Sequence, residues 1–114
     1  MALPELVKKR VEGKLKKYCE EKVPERVRDR VRVEFKIRGD NVTLLERRPA
    51  FMNPDIWVSI PVAQFRYNPD NKKWYLYWCD RNSRWHFYFD LEPTANLDAL
   101  IREVEEDPTG IFWG

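Results

Sequence analysis

One histidine, two cysteines and four glycines are all that this 114-residue chain holds of the residue types on which most catalytic and cofactor motifs are built. So few glycines leave no room for a phosphate loop, a dinucleotide fingerprint or a serine nucleophile elbow. Cys19 and Cys79 show no Cys-x-x-Cys spacing, so both read as free thiols rather than as a disulfide framework or a thiolate metal site. His86 is flanked by Trp85 and Phe87 and has no His-x-x-Glu companion, which suits a hydrogen-bonded structural residue better than a general base. The acidic run Glu103, Glu105, Glu106, Asp107 lacks a second cluster and reads as a solvated helix end. No metal, cofactor or catalytic residue is therefore expected. Long hydrophobic runs are missing too: nothing approaches the roughly 18 apolar residues that cross a bilayer. Met1-Ala2-Leu3-Pro4-Glu5 does not open a leader peptide, so a cytoplasmic protein without membrane contact is the expectation.

What the chain does hold is material for a core. Hydrophobic residues make up 43% and charged residues 35%, with 5 Trp, 5 Tyr and 6 Phe, enough for one domain spanning residues 1–114. The net charge of +2 falls short of the basicity expected of a non-specific nucleic-acid binder. Its distribution is uneven: residues 1–48 hold 15 basic and 9 acidic side chains, whereas residues 91–114 hold 1 and 6. Such asymmetry either steers a polyanion toward the N-terminal half or marks solvated helix faces.

Leu3, Val7, Val11, Leu15 and Tyr18 recur at helical spacing and predict an amphipathic helix from Pro4 to Glu21, with Pro24 starting a short turn over residues 25–29. Val31, Val33, Phe35 and Ile37 alternate with charged residues, the period of a strand with one wet face. Gly39-Asp40 closes a hairpin that pairs Ile37 with Val42 and Phe35 with Leu44. Residues 48–55, with two prolines, read as a connection, and residues 56–60 carry no decisive period. Leu97, Leu100, Ile101 and Val104 predict a second amphipathic helix from about Asn96 to Glu106, capped by Thr94 or Asn96 and stopped by Pro108. The apolar tail Thr109–Gly114 is expected to fold back against the sheet. The fold class that results is α+β: an N-terminal helix, a β-hairpin, a three-stranded antiparallel aromatic meander and a C-terminal helix packed on the sheet.

The meander spans Val62 to Asp90. Turns at Asn68-Pro69-Asp70-Asn71 and Asp80-Arg81-Asn82-Ser83 divide it into three strands. Pairing Tyr67 with Lys72, and Cys79 with Arg84, gathers Ala63, Phe65, Trp74, Leu76, Trp78, Trp85, Phe87 and Phe89 on one apolar face. The opposite face then carries Arg66, Tyr75, Tyr77, Arg84, His86 and Tyr88. Tyr and Arg together supply flat contact area, polar tips and cation–π stacking, the chemistry of interface hot spots. These six residues form the candidate binding site.

Three functional readings follow. The first is a non-enzymatic binding module that uses this face for a protein partner or for self-association. The second is a nucleic-acid-binding domain in which the same aromatics stack bases while the basic N-terminal half holds phosphates. A small enzyme, lacking any catalytic signature, is the third. A purely structural alternative stands beside them: the first hairpin or helix laid over this face would turn the tyrosines into packing.

The segments Trp74-Tyr75-Leu76-Tyr77-Trp78, Trp85-His86-Phe87-Tyr88 and the closing Asp107-Pro108-Thr109-Gly110-Ile111-Phe112-Trp113-Gly114 resemble a family of small bacterial proteins catalogued only as a domain of unknown function. The resemblance runs the length of the chain and includes Arg47-Arg48-Pro49 and Pro61-Val62-Ala63-Gln64-Phe65. It implies a bacterial, cytoplasmic, single-domain protein and carries over no catalytic or binding residue.

Overall fold

The computed structural model describes Ala2–Trp113; Met1 and Gly114, the last residue of the tail, lie outside the described residues. Helix α1 runs over Glu5–Lys22, directly after Pro4, and a single 3-10 turn follows Pro24 at Glu25–Val27. Strands β1 (Arg32–Arg38), β2 (Asn41–Pro49), β3 (Trp57–Asn68), β4 (Lys73–Cys79) and β5 (Trp85–Phe87) precede helix α2 (Leu97–Glu106). The strands form one antiparallel sheet in chain order, so the first hairpin and the meander are a single five-stranded layer. The α+β class stands, and the first hairpin extends the sheet instead of lying across it.

The stripe read from the first helix is the buried one, with Leu3, Val11 and Leu15 inside the core. In β1 and β2 the expected register is present, Ile37 opposite Val42 and Phe35 opposite Leu44. Residues 57–60, left without a period, are the first third of the 12-residue β3. They pair with β2 as far as Pro49, across an irregularity at Leu44/Leu45 that leaves Val62 without a partner. That bulge explains the missing period, because it lets consecutive Val62 and Ala63 both be buried in the core and so reverses strand parity. Beyond it Val58 and Ile60 are exposed, as are Phe51, Met52 and Ile56 in the connecting loop.

Both helices cover the same side of the sheet, over Val42, Leu44, Phe65, Trp74 and Leu76. Asn96 caps α2 by accepting the Asp98 N–H at 3.1 Å, and Leu97, Leu100 and Val104 are its buried face. The helices are tied to one another by charge, Lys14 to Asp98 and Lys22 to Glu105, and the Tyr18 hydroxyl also donates to Glu105. After α2 the chain turns at Asp107, a left-handed residue at φ 43° whose carboxylate accepts the N–H groups of Phe112 and Trp113. The tail is thereby folded back: Phe112 is buried 5.1 Å from the Tyr88 ring, and the Trp113 indole N–H donates to the Val104 carbonyl at 2.9 Å.

Leu100 has no exposed surface. Its replacement by alanine is expected to lower the free energy of unfolding by about 2–5 kcal/mol, measured by urea titration, because the cavity cannot collapse between a sheet and a helix.

Candidate functional site

The two turns of the meander decide which side chains share a face. At the first, Asn68 accepts the Asp70 N–H, Asn71 accepts the Lys73 N–H, and Lys72 takes a left-handed conformation at φ 57°. The closing pair becomes Asn68 with Lys73, and Phe65 lies opposite Leu76 instead of Trp74. This displacement of two positions corrects the expected register but preserves the faces.

The second turn does not preserve them. Asp80 is its hub: one carboxylate oxygen accepts the N–H groups of Asn82 and Arg84, and the other accepts from His86 Nε2 at 2.7 Å. Ser83 is left-handed at φ 63°, and the Asp80 N–H reaches the Arg84 carbonyl. The loop is thereby one residue longer than expected, and Cys79 pairs with Trp85, Trp78 with His86 and Tyr77 with Phe87. A slip of one position inverts β5 relative to β4. Trp74 and Phe87, expected on the same side, are on opposite sides of the layer. The His86 bond, followed by the backbone bond from Arg84, holds the Asp80 carboxyl below the usual carboxylate range.

The six candidate residues are therefore divided. Arg66, Tyr75 and Tyr77 remain together on the side away from the helices. His86 moves to the helix side, stacked 4.6 Å from Trp78 and engaged by Asp80. Tyr88 is buried there, with its hydroxyl donating to Glu103 at 2.6 Å. Arg84 lies in the exposed turn. In place of His86 and Tyr88, the outer face gains Phe87, which packs against Tyr75 at 6.1 Å, Tyr77 at 5.8 Å and Phe89 at 4.9 Å. Phe89, expected in the core, is 83% exposed.

Arg66 organises the rest. Its guanidinium lies 3.8 Å from the centre of the Tyr77 ring, and its Nε donates to Gln64 Oε1 at 2.6 Å. Gln64, the one buried polar residue of the described chain, donates in turn to the Thr43 hydroxyl at 3.0 Å. Tyr75 accepts from Asn71 at 2.9 Å. The pairing registers put Arg32, Lys36, Arg38, Arg47, Arg66 and Lys73 on this face of the strands, against the single acid Glu34 among the described residues. A chain of net charge +2 thus presents a strongly cationic sheet surface. Alternation in β1, together with the β1–β2 register, was the signal that could have located it.

Neither thiol belongs to this chemistry. Burial pushes Cys19 up to about 11, and Cys79 is raised as well, both away from the thiolate that nucleophilic attack requires. No helix of the described residues is long and apolar enough to cross a membrane.

The architecture defines a two-layer α+β protein: helices on one side of an antiparallel meander, an uncovered cationic and aromatic face on the other. The chain belongs to the DUF3024 family, described as a domain of unknown function, whose family model matches residues 3–114. Searches of curated proteins and of solved structures found no match.

Burial, and then the bond to Glu103, push the Tyr88 phenol up to about 12. An unfolded tyrosine ionises near 10. The native state therefore keeps a proton that the unfolded chain loses, and stability falls as pH rises from about 10 to about 12. Tyr18 is raised as well, by burial and then by Glu105, so Tyr88→Phe is expected to make that fall shallower without removing it and to cost about 1.5–3 kcal/mol at neutral pH, both read by urea titration.

Proposed function

We propose that this protein is a non-enzymatic binding module whose uncovered sheet face docks an acidic protein surface. The observation that carries the reading is the face itself, where Arg66, Tyr75, Tyr77, Phe87 and Phe89 stand beside an excess of Lys and Arg with no layer of the described chain above them. Half-buried aromatic and arginine side chains in one patch, with Phe89 exposed at its edge, are the composition of an interface centre. Self-association through the same face is less favoured, because it would set like charges against like.

Nucleic acid is the second reading, and the cationic strands favour it. Against it, the rings do not present parallel platforms: Phe87 meets Tyr75, Tyr77 and Phe89 at interplanar angles of 53°, 69° and 89°. Arg66 already covers the Tyr77 ring. Base stacking needs free ring faces.

A photo-crosslinking phenylalanine analogue at position 89, used in living cells, separates these outcomes. The expected product is a discrete adduct with an acidic protein, lost in the Arg66→Glu, Lys73→Glu variant, which is expected to bind at least about tenfold more weakly. An adduct with a second copy of the chain, or an unchanged adduct in the variant, overturns the reading. Fluorescence anisotropy with a single-stranded 15-mer oligonucleotide supplies the other arm: tight binding that falls steeply with salt assigns the face to nucleic acid.

A further inference from the structure

On the helix side of the sheet, opposite the face just described, a cavity of about 570 Å³ opens between α1, the β3–β4 turn and the start of α2. It is as large as many small-molecule sites, which span roughly 300–1,000 Å³. Its wall is apolar and aromatic: Val7 and Val11 from α1, Tyr67 and Trp74 from the sheet, Leu97 from α2. The Tyr67 and Trp74 rings lie 5.0 Å apart. The rim is cationic, with Arg10 and Lys14 one helical turn apart on α1 and Lys72 across the opening.

The charges are not used up by the fold. Asp98 engages Lys14 at 2.7 Å, while Arg10 and Lys72 have no ion-pair partner among the described residues. The left-handed backbone of Lys72, fixed by its N–H to the Asn68 carbonyl at 2.8 Å, is built into the turn at the cavity mouth. Trp74 and Thr94 exchange both backbone bonds, at 2.7 and 3.1 Å, so one bridge anchors the aromatic wall and the segment entering α2. Asn96 consumes the Asp98 N–H, so α2 adds the field of its N-terminus while Arg10 and Lys72 supply the donors.

We propose that this cavity binds a small organic anion with a flat apolar body: the body lies against Tyr67, Trp74 and Leu97, and the anionic group is held by Arg10 and Lys72. Neither inorganic phosphate nor a neutral ring satisfies both halves of the site.

The test is an NMR titration of the full chain with 2-naphthoate, 2-naphthalenemethanol and inorganic phosphate in parallel. Saturable naphthoate binding is expected to shift the Trp74 indole signal and the amides of Lys72 and Leu97. The other two probes are expected to bind at least about tenfold more weakly. Arg10→Glu with Lys72→Glu is expected to cost at least about tenfold in affinity, and Lys36→Glu on the outer face of β1 to leave it unchanged. Arg10→Gln with Lys72→Gln, milder on an exposed helix and turn, serves as the second variant should charge reversal perturb folding. No saturation by about 10 mM naphthoate, shifts confined to the outer face, or affinity unchanged in both charge variants overturns the proposal.

Discussion

Two helices of 18 and 10 residues can shield one face of a five-stranded sheet and no more, and the rest of the molecule follows from that limit. The shielded face collects Phe65, Leu76, Leu44 and Val42, which with Leu100 of α2 are all at most 1% exposed and supply much of the hydrophobic free energy of the fold. The other face has to be compatible with water without a second helical layer. Across β1 and β2 it achieves this with Glu34, Lys36, Thr43 and Arg47, the ordinary surface of a one-sided antiparallel sheet. Across β4 and β5 it does not, because Tyr75, Tyr77 and Phe87 occupy positions where solvation alone would select polar residues. That change of character halfway along an unshielded face is what the proposed docking role accounts for.

The helical layer also accounts for the uneven charge of the chain. Lysines of the basic α1 and acids of the α2 segment meet where the helices run side by side, Lys14 with Asp98 and Lys22 with Glu105. Lys22 additionally lies 4.5 Å from the Trp113 ring, so one cation closes the junction of α1, α2 and the tail. These pairs are half-exposed and individually weak, and their effect is to set the relative placement of the two helices more than to stabilise the fold. The charge asymmetry in sequence is thus partly spent within the molecule, and cations without an ion-pair partner among the described residues remain on α1, Arg10 among them, and on the outer face of the strands.

The sequence reveals structure wherever apolar and polar residues alternate, and falls silent where they do not. Val33, Phe35 and Ile37 between charged neighbours define β1 and its partner register, and Leu3, Val11 and Leu15 define α1, because each pattern has one reading that buries the apolar set. In Trp74-Tyr75-Leu76-Tyr77-Trp78 and Trp85-His86-Phe87-Tyr88-Phe89 either parity offers a large side chain to the core. Hydrophobicity then cannot choose, and the choice passes to the turn. Asp80, by accepting from Asn82, Arg84 and His86, fixes a loop that sends Tyr88 inward to Glu103 and Phe89 outward. Part of the candidate site was legible because Arg66, Tyr75 and Tyr77 depend only on the first turn, where an error of two positions leaves parity intact. His86 and Tyr88 were misplaced because they depend on the second.

The β3–β4 hairpin is the element common to both proposed sites, and strand geometry makes it so. Successive side chains point to opposite sides of a strand, so Arg66 contributes to the outer face and Tyr67 to the cavity, and across the turn Tyr75 and Trp74 divide in the same way. The turn adds Asn71 to one side, through its bond to Tyr75, and Lys72 to the other. No intervening side chain separates the two surfaces at this hairpin; a single layer of backbone does. Any repositioning of that backbone displaces residues of both sites together, whereas β1 can tolerate exchange of its exposed residues without reaching either aromatic cluster, and β2 reaches the outer one only through the Thr43–Gln64–Arg66 chain of hydrogen bonds. The hairpin from Gln64 to Cys79 is accordingly the part of the chain in which the core and both proposed sites coincide most closely.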